Sequence, residues 1–452
     1  MIETEARLKK YSNYKDSGVV SLGDIPNHWQ ILPLFTITEL KSVTNQTEND
    51  LLSIYLDLGV VRFSDVKEKR TNATSKDLSK YQLVEPGDFV LNNQQAWRGS
   101  VGVSKYKGII SPAYIVLSLS EKLNTSFANY FFRDRSMVTQ YLINSKGVGS
   151  IQRNLYYPHL RRANISLPPL QEQKAIAEFL DGKTQKIDEA IAIKKQQIAL
   201  LQERQQILIQ NAVTGKIVWS DKKQKMIPLA QSGVDNKNSG VSWIGEIPEH
   251  WEVTAVKHVL EMPITDGPHI TPKLLDNGIP FISAEAIKNG IIDFDKKTGY
   301  ISYEDYQLFC SKYQPKLNDI YMVKSGATTG NIAMVNTGIE FNIWSPLAVF
   351  RSNQKKISPK HLYNYLSSPT FSRGIQLSWS FGTQQNIGMR VLSNLPISTP
   401  PLSEQKEISN YIENASQKTT TAISYKQQEI EKLREYKSSL INSCVTGKIK
   451  VN

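Results

Sequence analysis

Few residues in this chain are placed to do covalent chemistry, and the candidates fail on spacing. Asp181-Gly182-Lys183-Thr184 ends like a phosphate-binding loop, but that loop needs a glycine at position 177, where Ala177 stands inside a helical pattern. Gly147-Val148-Gly149 is followed by Gln152 where a dinucleotide fingerprint needs its third glycine. Of the 6 histidines, no pair shows the spacing of metal ligands, and His28 and His250 each precede a tryptophan, which suits packing better than proton transfer. Cys310 and Cys444 are too few and too separated for a zinc site or a disulfide framework, and fit a reducing cytoplasm. There is no Asn-Pro-Pro-aromatic or Asp-Pro-Pro-aromatic segment, the loop with which an adenine methyltransferase handles a flipped base. Neither a metal nor a cofactor is implied for this chain.

The chemistry that the composition does favour is electrostatic. Net charge is +12 and the isoelectric point is near 9.3, with Lys and Arg spread along the chain rather than gathered in one tail. That balance fits a polyanionic partner such as nucleic acid, with an ordinary solvated basic surface as the alternative. Residues 1–10 are charged, and no stretch approaches the roughly 20 apolar residues of a membrane helix. The sequence therefore reads as a soluble cytoplasmic protein with no membrane partner.

The elements that must carry any binding residues come in two copies. Ile25-Pro26-Asn27-His28-Trp29 returns as Ile247-Pro248-Glu249-His250-Trp251. Pro168-Pro169-Leu170-Gln171-Glu172-Gln173-Lys174-Ala175-Ile176 returns as Pro400-Pro401-Leu402-Ser403-Glu404-Gln405-Lys406-Glu407-Ile408, and Val213-Thr214-Gly215-Lys216-Ile217 returns intact as Val445-Thr446-Gly447-Lys448-Ile449. The offset is 222 at the first motif and 232 at the other two, so the second copy has gained its extra residues between the first two motifs. A fixed frame with a variable insert suggests a frame for assembly and an insert for recognition.

Each insert reads as short apolar runs broken by Gly, Pro, Asn and Asp, a mixed, strand-rich domain, with helices expected over residues 127–144 and 361–377. Residues 171–212 and 403–444 contain no proline and read as long helices, begun by a Pro pair and stopped by Gly215 or Gly447. Heptad spacing from Ile191 gives Lys194, Ile198, Leu201, Gln205, Leu208 and Ala212; the second copy gives Ile423, Lys426, Ile430, Leu433, Lys437, Leu440 and Cys444. Two equal helices with imperfect seams are expected to pair with each other. Antiparallel pairing is favoured because it leaves the polar linker over residues 218–242 a short gap, although such a linker could also serve a parallel pair. At 1.5 Å per residue the helices would run roughly 60 Å, the length of a spacer spanning about two DNA turns.

A Gly-(Asp/Glu)-Ile-Pro-x-His-Trp opening, a Pro-Pro-Leu-x-Glu-Gln helix start and a Val-Thr-Gly-Lys-Ile exit, each present twice around dissimilar inserts, closely resemble the specificity subunit of type I restriction-modification systems. The resemblance covers essentially the whole chain. It implies an α+β architecture with a pseudo-two-fold repeat: two target-recognition domains, each reading one half of an asymmetric split site in double-stranded DNA, held apart by two antiparallel coiled-coil helices. On this reading residues 1–166 are the first recognition domain, 167–217 the first spacer helix, 218–398 the linker and second recognition domain, and 399–452 the second helix and tail. The helices would dock two methyltransferase subunits, and restriction subunits, which translocate DNA, would complete the complex. S-adenosylmethionine, ATP and Mg²⁺ would belong to those partners, leaving this chain non-catalytic.

The resemblance also implies where DNA would be touched. Asn92, Asn93, Gln94, Gln95, Trp97 and Arg98 form the loop after a Gly-Asp strand; Asn and Gln suit adenine, and Arg suits guanine or phosphate. Ser325, Thr328 and Asn331 occupy the same place in the second insert, and Thr265-Asp266-Gly267-Pro268-His269-Ile270-Thr271-Pro272-Lys273 resembles a loop at the start of such domains, with His269, Thr271 and Lys273 as candidates. Gln152, Arg153 and Asn154 precede the first helix start, and Thr383, Gln384 and Asn386 precede the second; shared polar residues in dissimilar inserts could touch phosphate. For each loop a plain polar surface turn competes, and Lys67, Lys69 and Arg70 read as a solvated basic loop. The expected seam contacts are Ile191, Ile198, Leu201, Leu208, Ile423, Ile430, Leu433 and Leu440. Two other functions compete: a nuclease acting alone, for which no motif is found, and a DNA-binding or coiled-coil scaffold outside restriction-modification.

Overall fold

A computed structural model describes residues 9–19, 21–66, 77–148, 152–378 and 386–451. The chain forms two compact units, one of Met1–Lys194 with Gln427–Asn452, the other of Lys195–Lys426. Both long helices are therefore divided between the units, the boundary falling within each of them.

In the first unit, β1 (Thr38–Lys41), β2 (Phe89–Asn92), β3 (Val101–Val103) and β4 (Tyr114–Leu119) make an antiparallel sheet in the order β1-β4-β2-β3. Period-two alternation splits its strands between two faces. Val90 and Val116 join Leu52, Ile54 and Val84 on one side, while Phe89 stacks on Phe132 at 4.1 Å on the other. Phe132 belongs to α1 (Thr125–Arg133), which is followed by α2 (Arg135–Ile143) and by a hairpin of β5 (Ser145–Val148) and β6 (Gln152–Leu155).

The second unit repeats this plan. After α3, the first long helix (Leu170–Val213), come β7 (Thr265–Asp266), α4 (Tyr303–Lys312), β8 (Ile320–Val323), β9 (Ile332–Met334) and β10 (Leu347–Phe350), with sheet order β7-β10-β8-β9. Ile320, Met322, Ala348 and Phe350 enter one core cluster, and Tyr321, Val323, Leu347 and Val349 the opposite one, so strands apolar at every position are buried on both faces. Then follow α5 (Pro359–Leu366), α6 (Pro369–Leu377) and α7, the second long helix (Leu402–Val445).

The helices expected over 127–144 and 361–377 are each two helices. Asp134 ends α1 and caps α2 by accepting from the Ser136 N–H at 2.9 Å. Ser368 caps α6, and Pro369 behind it has no N–H with which to continue α5. The expected linker over 218–242 is also more ordered than a tether: Ile217–Ser220 pairs with Lys225–Pro228 and buries Val218, Ile227 and Leu229.

Helices α3 and α7 each run 44 residues, one beyond the expected bounds at either end. Of the expected seam positions Ile191, Ile430 and Leu440 are buried, while Ile198, Leu201, Leu208, Ile423 and Leu433 are half-buried. In the first unit Asp188 meets Lys437 at 2.7 Å and Lys194 meets Glu429 at 2.8 Å, so rising numbers in α3 face falling numbers in α7 and the pairing is antiparallel. In the second unit the end of α3, with Ile209 and Ala212, shares a core with the start of α7, with Ile408 and Ile412.

The three repeated motifs meet in one joint per unit. Glu172 accepts from Trp29 Nε1 at 3.2 Å, lies 2.8 Å from His28 Nε2 and also bonds the Tyr11 hydroxyl; Glu404 accepts from Trp251 Nε1 at 2.6 Å and lies 3.0 Å from His250 Nε2. Fully buried Gln173 donates to the Pro168 and Lys122 carbonyls and accepts from the Asn124 N–H; Gln405 does the same with Pro400, Lys356 and Ser358. Gly447, at φ +74°, sits against Pro26 and Trp29, and Gly215, at φ +72°, against Pro248 and Trp251. Any side chain there would be strained and would collide with the proline ring. The exit motif of each helix thus closes the joint opened by the other copy.

Candidate nucleic-acid interface

In both units the loop between a central strand of the sheet and the edge strand beside it is held from the same side. In the first, the loop follows β2 and turns through Ala96–Arg98 to Gly99, whose φ of +98° reverses the chain into β3. Asn92 spends its side-chain oxygen on the Gln94 N–H at 3.1 Å, and Trp97 Nε1 donates to the Gln94 carbonyl at 3.0 Å. These two side chains brace the loop. Gln95 is half-buried, while Gln94 and Arg98 are exposed. Asn93 Oδ1 is buried and, among the described residues, receives no donor.

The hairpin β5–β6 abuts this loop: the Leu155 N–H donates to the Asn93 carbonyl at 2.9 Å. It brings Arg153 to 5.8 Å from the Trp97 ring, on which Arg98 already lies at 4.5 Å. Two guanidiniums from distant parts of the sequence therefore share one aromatic platform, within the range of cation–π attraction. Arg153 and Asn154 are exposed, and Gln152 opens β6. Sequence reasoning missed Lys146, which stands opposite Asn154 in the hairpin and lies 4.9 Å from the Tyr156 ring. The signal was available as basic residues interleaved with aromatics across a predicted turn.

The second unit builds the same junction from different residues. The Ile387 N–H donates to the Lys324 carbonyl at 2.8 Å, and Ser325 bridges to Asn386. Lys324, like Asn93, is the first residue after its strand, and Ile387 stands at the 232 offset from Leu155. Asn331 is half-buried and donates to the Ile287 carbonyl at 3.0 Å, a structural task; Thr328 and Asn386 are exposed. Exposed His269, Thr271 and Lys273 lie on the neighbouring loop after β7. Its Gly267 is required because a side chain there would strike the backbone of Ile343 and Trp344.

Beneath these loops Asp266 is 1% exposed and binds Lys312 Nζ at 2.6 Å and Lys324 Nζ at 3.1 Å. Burial alone would raise its carboxyl, but the two lysines outweigh that and hold it below its ordinary value. Spacing did not reveal this cluster, because Lys312 lies 46 residues from Asp266. Thr383, Gln384, Lys67, Lys69, Arg70 and residues 149–151 lie outside the described residues.

The earlier catalytic candidates are structural. Asp181 to Thr184 lie within α3, where Asp181 and Thr184 both bond the Tyr130 hydroxyl. Cys444 is buried in α7 and its thiol is pushed up to about 12 by burial, so it is not poised as a nucleophile. Among the described residues no group of three or more His, Cys, Asp or Glu is placed to hold a metal, and no helix is long and apolar enough to cross a membrane.

Comparison with known proteins places these features in a family. The model of the type I restriction modification DNA specificity domain matches residues 57–203 and again 248–432, once per copy. The MjaVIII specificity subunit of Methanocaldococcus jannaschii is 25% identical over 445 residues, covering 94% of both chains. The EcoKI specificity subunit of Escherichia coli is 23% identical over 422 residues, covering 87% of this chain and 83% of its own. A solved chain from work on complex assembly and conformational transition of the type I R-M system superposes with a TM-score of 0.62 at 16% identity, over 93% of this chain and 98% of its own.

Proposed function

The chain belongs to the type I restriction modification DNA specificity family, and on that premise we propose that it is the subunit that reads the DNA sequence for a methyltransferase and a restriction endonuclease, each unit reading one half of an asymmetric bipartite site. One observation carries the reading. Two loop sets of unlike sequence, Asn92 to Arg98 with Arg153 and Asn154, and Ser325 to Asn331 with Asn386, hang from the same backbone bond at the same place on a duplicated sheet. A repeated frame with interchangeable polar loops is what two independent half-site readers need. Exposed Gln94, Arg98, Thr328 and Asn386 carry the groups that suit base edges or phosphate.

The duplicated frame also suits two copies of a methyltransferase subunit, with restriction and translocase subunits joining the assembly. Helix α3 supports a docking role, since Ile193, Leu200 and Ile207 are 55%, 56% and 50% exposed at heptad spacing on a face away from the seam. S-adenosylmethionine, ATP and Mg²⁺ belong to the partners, and the complex works on DNA in the cytoplasm. The test is to incubate the pure chain with duplex DNA, Mg²⁺ and S-adenosylmethionine, with and without methyltransferase subunits. Salt-dependent DNA binding without methylation or cleavage by the chain alone, and methylation once the partners are added, is the expected result. Methylation or cleavage by the chain alone would refute it.

A further inference from the structure

In the second unit the loop after β7, the end of α4 and the loop between β8 and β9 are tied to one side chain outside the recognised candidates. Asp266 ends β7 and is 1% exposed. Its Oδ1 accepts from Lys312 Nζ at 2.6 Å, and the same ammonium donates to the Gly267 carbonyl at 2.9 Å. Its Oδ2 faces Lys324 Nζ at 3.1 Å and His269 Nε2 at 3.2 Å. Each partner belongs to a different segment. His269 sits on the loop after β7, Lys312 closes α4, and Lys324 is the first residue of the loop between β8 and β9, where its carbonyl also receives the segment at Ile387. The next residue, Gly267, packs so closely on the Ile343 and Trp344 backbone that any side chain there would collide with it.

A carboxylate displayed toward DNA would repel it, whereas one buried between two lysines from different segments has its charge offset and its position held. We propose that Asp266 is the positioning residue of the second recognition surface: it holds the loops after β7 and β8 in register with each other and does not itself touch DNA. This rests on the reading of those loops as the second half-site reader. It distinguishes the role from simple charge, because neutralising Asp266 makes the surface more positive and so strengthens the sequence-independent attraction while loosening the sequence-dependent part.

The experiment uses the chain assembled with its methyltransferase subunits and measures binding to the methylated motif, to duplexes with single base changes in either half-site, and to unrelated DNA. For Asp266→Asn we expect discrimination against second-half changes to fall by about tenfold, first-half discrimination to stay within about twofold, and binding to unrelated DNA not to weaken. Lys312→Met, at a side chain 42% exposed, should move second-half discrimination the same way and gives the answer if Asp266→Asn does not fold. Unchanged discrimination in both variants overturns the inference, and so does an equal fall at both half-sites with a lowered melting temperature, which would mark a purely structural residue. Thr328→Ala and Asn386→Ala separate the two levels. If they leave second-half discrimination unchanged, the interface reading itself fails; if they alter it and Asp266→Asn does not, only the role of Asp266 falls.

Discussion

The two units share a frame and differ in what stands under their loops. In the first, Arg98 and Arg153 converge on the face of Trp97; in the second, Lys312, Lys324 and His269 converge on buried Asp266. The frame beneath hardly differs: Glu172 and Glu404, Gln173 and Gln405, Gly215 and Gly447 make matching contacts. The lesson is where variation is tolerated. Gln173 and Gln405 are fully buried and every polar end is used, so any replacement strands a carbonyl or an N–H, whereas an exposed loop residue such as Arg98 or Thr328 strands nothing in the free protein.

The largest effects should come from the frame and be equal in the two units. Gln173→Leu and Gln405→Leu each remove the side-chain partner of two backbone carbonyls and one N–H around a buried side chain. We expect a loss of about 3 kcal/mol or more for each, read by denaturant unfolding of the affected unit. A loss confined to one of the two variants would break the equivalence of the joints. Next is the seam. Ile198→Asp with Ile430→Asp places one charge per unit at an interhelical position, and only Ile430 is fully buried, at 5% exposure. The pair should cost several kcal/mol, about 2 to 5, with Ile430→Asp the larger part, and should abolish assembly with the methyltransferase subunits on a sizing column.

One core position separates the units by chemistry. Phe127 and His361 each donate a backbone N–H to the cap of their helix and are fully buried, so the second unit holds an imidazole where the first holds a phenyl ring. Burial lowers the His361 pKa from 6.5 to about 4. The folded state therefore resists protonation: the stability is fully present above pH 6.5 and is lost as pH falls from there toward 4, by up to about 3 kcal/mol. His361→Phe should remove that loss in the second unit and leave the first unchanged, as followed by melting temperature between pH 7 and pH 4.5. An unchanged pH dependence would mean that other groups control acid sensitivity. The smallest effect is expected at a loop. Trp97→Ala removes the platform for two guanidiniums and should weaken first-half binding by about 1 to 2 kcal/mol without altering stability or second-half discrimination. A matching loss at the second half-site would show that the loop supports are not independent.

Much of this was legible because the frame advertises itself in local signals. Pro168-Pro169 and Gly215 marked the ends of α3 within one or two residues, whereas the heptad from Ile191 puts Leu208 on the seam and the structure buries the adjacent Ile209 more deeply. The loop correspondence also followed from the strand that precedes each loop. What spacing could not show were contacts closed by tertiary structure. Apolar residues continue through Asp134 and Ser368, so only the caps reveal that the helices break there. Gly447 is repeated because it packs on Pro26, more than four hundred residues earlier, and Asp266 gathers cations from elements that no periodicity links.

The measurement that bears most directly on two independent readers on one frame is the methylated motif mapped across a genome, before and after residues 30–160 are exchanged for another insert. We expect an asymmetric bipartite motif in which the exchange rewrites one half and leaves the other half untouched. A palindromic motif, or a change in both halves, would contradict it.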